Sequence, residues 1–172
     1  MGRAGSDSRL REVQRMLPSA FSKMSIMSTL GIDPPGGCHY PPEGYAEFAR
    51  LILPLVEQFN YQVKPTASIT PPDLQKASYT SSKRDEVKLE FDQPVKWDAA
   101  LKSQFYLDGE DGKVVSGKSQ GNTLILKLDS GSEGQDITYL NGQSWNQKNL
   151  LRGVNGIAAL TFCEIPIATI NK

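Results

Sequence analysis

The sequence predicts an α+β chain in two parts. Residues 1–61 read as the helix–strand–helix tail of a layered α/β domain, and residues 62–172 as an antiparallel β-sandwich. Three observations point there. Apolar residues at helical spacing fill the first third, broken by one short β-tolerant run. A proline-bearing connector, Tyr61 to Pro72, follows. Beyond it the apolar period switches to alternation between turn-forming clusters.

In chain order, Ser6-Asp7-Ser8 offers helix caps, and Leu10, Val13, Gln14 and Leu17 trace one helical face until Pro18 is expected to stop it. Met24 to Leu30 reads as a buried parallel-type strand. Gly31 to Pro42 is a stiff, sharply turned loop rich in proline and glycine. Tyr45, Phe48, Ile52, Leu55, Val56 and Phe59 then mark an amphipathic helix with Pro54 inside it. A lone strand cannot satisfy its own backbone groups, so this segment implies further α/β structure supplied from elsewhere.

Seven strands are expected after the connector: 76–80, 86–91, 104–107, 113–116, 123–128, 137–140 and 156–165. The turns Asp108-Gly109-Glu110-Asp111-Gly112, Gln120-Gly121-Asn122, Asp129-Ser130-Gly131-Ser132 and Asn141-Gly142 punctuate them. About a hundred residues suit an independently folding sandwich.

Composition excludes several classes. Lysine plus arginine equals aspartate plus glutamate at 19 each, so no basic excess points to nucleic acid or an anionic membrane. The run Leu51 to Val56 is far too short to cross a bilayer and contains Pro54. Residues Met1 to Asp7 lack the apolar stretch of a secretory signal. A piece of a longer protein would carry any leader elsewhere, so the compartment stays open. Cys38 and Cys163, with one histidine, are too few for a zinc site. They read as free thiols, or as one bridge between the two halves if the environment is oxidising. No metal or cofactor is implied.

The chemistry centres on His39, the only histidine. It lies in the rigid loop between the expected strand and helix, where α/β proteins mount reactive groups. Histidine is the usual proton carrier near neutral pH, but it needs a nucleophile to deprotonate and an acceptor to orient it. Asp33 is the nearest upstream carboxylate, and it reads equally as a turn residue before Pro34-Pro35. No G-x-S-x-G elbow occurs, and Ser25 and Ser28 are ordinary small residues on the expected strand. Cys38 and His39 are neighbours that would point apart on extended backbone. Glu43 fits a first-turn carboxylate at a helix N-terminus. Trp97, Tyr106, Tyr139 and Trp145 read as a sugar-facing platform or as plain core packing.

The stretch His39-Tyr40-Pro41-Pro42-Glu43-Gly44-Tyr45-Ala46-Glu47-Phe48-Ala49 resembles the last motif block of SGNH-type hydrolases, in which a histidine, a short loop and a Gly-Tyr lead into a C-terminal helix. The nearest branch is the sialate O-acetylesterase-like group common among bacterial carbohydrate esterases. There a stretch like Leu10-Arg11-Glu12-Val13-Gln14-Arg15 precedes the last strand of a flavodoxin-like domain, and a stretch like 69–91 opens a β-rich domain. The resemblance implies a hydrolase that removes acetyl groups from sugars, with a serine nucleophile and His39 as the base. The family's serine block and its oxyanion donors lie well before the histidine and have no counterpart here. Its aspartate three residues before the histidine is Gly36 in this chain, which leaves Asp33 or a backbone carbonyl for that role. The resemblance therefore implies the C-terminal fragment of an esterase, inactive alone, whose missing N-terminal α/β half lies in the same or a longer polypeptide. The rival is a non-catalytic β-sandwich module that binds carbohydrate or protein.

Overall fold

A computed structural model describes residues 7–34, 39–141 and 148–169. Two helices, α1 (Ser8–Ala20) and α2 (Pro42–Tyr61), precede nine strands. The strands are β1 (Leu74–Tyr79), β2 (Glu86–Phe91), β3 (Val95–Lys96), β4 (Phe105–Leu107), β5 (Val114–Gln120), β6 (Thr123–Leu128), β7 (Asp136–Tyr139), β8 (Arg152–Gly153) and β9 (Phe162–Ala168). A 3-10 helix, Ala99–Gln104, sits between β3 and β4.

The α+β class holds, and the β-rich part departs from the expected two-sheet antiparallel sandwich. Seven strands form one continuous sheet in the order β4-β7-β9-β1-β2-β6-β5, and β3 and β8 make a separate two-stranded ribbon. Within the large sheet β1 and β9 run parallel, with Ala77 opposite Ile167. The 3-10 helix packs against both edge strands, β4 and β5, so the sheet is nearly closed on itself. Closure of this kind covers the unpaired edges that an open sheet would present.

Alternation explains the sheet's inner face. Val87, Leu89 and Phe91 on β2, and Leu124, Leu126 and Leu128 on β6, all point inward and are buried. Phe105, Tyr139 and Phe162 stack at the centre, with ring centroids 5.0 Å apart for Phe105 and Tyr139 and 5.7 Å for Tyr139 and Phe162. The buried Tyr139 hydroxyl accepts a 2.7 Å hydrogen bond from the Leu151 backbone N–H. Burial raises the phenol's pKa well above its ordinary value, so it stays protonated.

Three expectations about the first third change. Pro18 lies inside α1, which continues to Ala20 and closes with Phe21 N–H bonding Leu17 O at 3.0 Å. The helix also turns the other way. Its buried side chains are Arg11 and Arg15, while Leu10, Val13 and Met16 are exposed. Polar partners on the sheet explain this. Arg11 donates to Leu140 O at 2.6 Å, and Arg15 to Leu74 O at 3.1 Å and to Asp73 Oδ1 at 2.6 Å. Finally, Met24 to Leu30 is no strand, because no neighbouring strand among the described residues offers it a ladder.

Candidate active site

The loop that carries His39 is anchored at its base. Ser28, Leu30 and Ile32 are each buried to within a few per cent, and Leu30 packs into the β-rich core. Between Leu30 and Ile32 the chain turns at Gly31, where φ is +71°. That left-handed backbone favours glycine, and an added methyl would also meet the guanidinium end of Arg152 and lie 3.0 Å from Leu150. Arg152 also donates to Gly156 O at 2.8 Å, which ties the loop base to the turn after β8. Asp33 follows, exposed, at the start of the loop.

On the far side the loop packs against the first turn of α2. Gly44 is buried there, and a methyl on it would lie 3.0 Å from Pro34 O and 3.0 Å from the Tyr40 side chain. Tyr40 donates its hydroxyl to Thr29 O at 3.1 Å, pinning the loop's exit to its entrance. The rings of Tyr40 and Tyr45 meet edge to face at 5.9 Å. Glu43 takes the first-turn place expected of it.

His39 itself is exposed, and its Nδ1 lies 3.4 Å from the Tyr45 hydroxyl. Among the described residues no hydrogen bond joins Asp33 to His39. Gly36 and Cys38 lie outside the described residues. Cys163 is a buried free thiol on β9 with Sγ 3.3 Å from the Ser8 hydroxyl. Ser28 is buried, its Oγ accepting from Leu30 N–H at 3.4 Å, and Ser25 is exposed beside the C-terminal turn of α1. Neither stands with the imidazole as a nucleophile would. The arrangement can accept or deliver a proton at an exposed ring; no serine or threonine hydroxyl among the described residues is hydrogen-bonded to it.

Among the described residues, Trp97, Tyr106 and Tyr139 do not form a sugar-facing platform. Tyr139 and Tyr106 are buried, and Trp97 packs over Gly117, where an added methyl would lie 2.7 Å from the indole. Trp145 lies outside the described residues. Tyr45 is the partner that sequence reading missed; its signal was the hydroxyl-bearing ring six residues after the histidine, on the first turn of a helix that begins at Pro42.

The two helices leave apolar side chains exposed among the described residues. On α2 only Gly44 and Leu55 are buried, while Leu53, Val56, Phe59 and Tyr61 are exposed. On and after α1, Leu10, Val13, Met16, Phe21 and Met24 are exposed too. Contiguous faces of this kind mark interaction surfaces in soluble proteins. No helix among the described residues is long and apolar enough to cross a membrane.

No family model matches the chain, and no curated protein matches it. Among solved structures, it is similar to a carbohydrate acetylesterase from Xanthomonas citri, XAC1771, with a TM-score of 0.57 and 16% sequence identity. The match covers 77% of this chain, and this chain spans 30% of that protein's length. The likeness establishes a shared fold.

Proposed function

We propose that this chain is the C-terminal part of a sialate O-acetylesterase-like SGNH hydrolase that removes acetyl groups from sugars. The observation that carries the reading is an exposed imidazole just before a helix whose apolar side chains Leu53, Val56 and Phe59 are left exposed by the described residues. In this reading α2 and the ladderless segment before it form the end of a flavodoxin-like domain. The rest of that domain is the acetylesterase's α/β half, which covers the exposed apolar residues and brings the serine. The fold shared with a much longer acetylesterase supports this assembly.

The chemistry then follows the order of proton movements. The serine hydroxyl attacks the acetyl carbonyl, and His39 takes its proton as the C–O bond forms. The imidazolium returns that proton to the departing sugar oxygen, leaving an acetyl-serine. His39 next takes a proton from water, which attacks the acetyl carbonyl; the ester bond to serine breaks, the imidazolium returns that proton to the serine oxygen, and acetic acid leaves and ionises to acetate. Asp33, exposed at the loop's start, makes no hydrogen bond to His39 among the described residues, so the ring is oriented by another acceptor; no metal or cofactor enters any step.

The test is a polypeptide that includes the reading frame upstream of Met1. It should release acetate from O-acetylated sugars, and His39→Ala should lower kcat by about a thousandfold or more. Deacetylation that survives His39→Ala would overturn the assignment.

A further inference from the structure

The ring of His39 has two nitrogens with different duties. A base that serves a serine through Nε2 must carry its resting proton on Nδ1, and the hydrogen bond made by Nδ1 decides whether it does. Here Nδ1 faces the Tyr45 hydroxyl at 3.4 Å. The phenol is itself placed by three features: its position on the first turn of α2, the edge-to-face contact with Tyr40, and the close approach of that turn to the loop at Gly44. Tyr45 is 47% exposed, so its own hydroxyl proton can point to water while its oxygen lone pairs face the ring.

From this geometry we infer that Tyr45 is the positioning residue of His39. Its hydroxyl oxygen accepts the Nδ1–H proton and holds the neutral ring in the tautomer that leaves Nε2 free as the base. The inference rests on the hydrolase reading for its purpose, though not for its test. It also accounts for a motif block that has glycine three residues before the histidine: the orienting acceptor comes from the helix after the histidine, not from the loop before it. Hydrogen bonds of this length in free enzymes shorten when substrate is bound, so the resting distance is compatible with the role.

Because His39 is the only histidine, its ring gives a single set of nitrogen resonances. The experiment records the two ring ¹⁵N shifts of this chain at alkaline pH, in the unaltered protein, in Tyr45→Phe and in Tyr40→Phe. The unaltered protein should show the proton mainly on Nδ1. Tyr45→Phe keeps the ring packing and removes the acceptor, so the proton should move mainly to Nε2, as in free histidine. Tyr40→Phe keeps the acceptor and should leave the tautomer where it was. A ring already protonated on Nε2 in the unaltered protein, or the same tautomer with and without the Tyr45 hydroxyl, overturns the inference. Thermal unfolding of each variant shows whether it is folded. Absence of esterase activity would leave the ¹⁵N result standing, so the two readings fail separately.

Discussion

Asp136 shows how a single side chain can be held at a cost. One of its carboxylate oxygens is buried without a hydrogen-bond partner among the described residues. Burial pushes its pKa above the ordinary value, and the nearby charges of Asp108 and Glu164 push it further in the same direction. A carboxyl raised in this way binds its proton more tightly in the folded chain than in the unfolded one. Its contribution to stability is therefore intact in acid and lost as pH rises through the folded-state value. Asp136→Asn should accordingly stabilise the protein modestly at neutral pH, by less than about 1 kcal/mol because solvent screens a partly exposed carboxylate, and the gain should vanish in acid below the ordinary carboxyl range. Urea unfolding of both proteins at the two pH values measures it; an equal gain at both would show that charge is not the cause. Nothing in the sequence marks Asp136 as strained, since the signal is the neighbourhood created when β7 comes beside Asp108 and β9.

At the scale of elements, α1 is held to the sheet by charged groups. Arg15 is 6% exposed and pairs with Asp73 at 2.6 Å and with Glu12 at 2.7 Å. Burial pulls the Arg15 guanidinium down, but its bonds to Glu12 and Asp73 outweigh that and hold it above its ordinary value. Burial also pushes the Asp73 carboxyl up against the pull of Arg15, so the pair is formed under a desolvation penalty. Removing one partner of such a pair is costlier than removing both. Arg15→Met should destabilise the protein by about 3 kcal/mol, and adding Asp73→Leu should recover much of the loss. A denaturant series with both single variants and the double one checks this, and strictly additive losses would contradict it.

This helix also shows what sequence could and could not reveal. The existence of α1, its cap at Asp7 and the strands β2 and β6 were legible, because local periodicity and capping chemistry fix them. The face that α1 buries was not legible, since the sheet's carbonyls and carboxylates select two arginines over the apolar stripe. The two-residue strands β3 and β8 are too short to carry a period. Met24 to Leu30 contained half of a strand signal. Its last residues and Ile32 do alternate in burial at Ser28, Leu30 and Ile32, but a hydrogen-bond ladder depends on a neighbour that no local pattern encodes. His39 was legible as a lone catalytic type in a rigid loop; its contact with Tyr45 needed the helix start at Pro42 to bring the hydroxyl round.

At the scale of the whole molecule, a well-packed and nearly closed sheet stands beside helices whose apolar sides are bare. The imidazole is likewise partnered by a phenol, while no serine or threonine hydroxyl among the described residues is hydrogen-bonded to it. Catalysis in the proposed hydrolase is a property of two parts: this one supplies a proton carrier, and the α/β half supplies the attacking group. Without a nucleophile, the gain from a positioned base is largely lost. The most direct measurement is hydrolysis of p-nitrophenyl acetate by the purified chain and by its His39→Ala variant. The account predicts equal, background-level rates for the two proteins; substantial turnover that disappears with His39→Ala would contradict it.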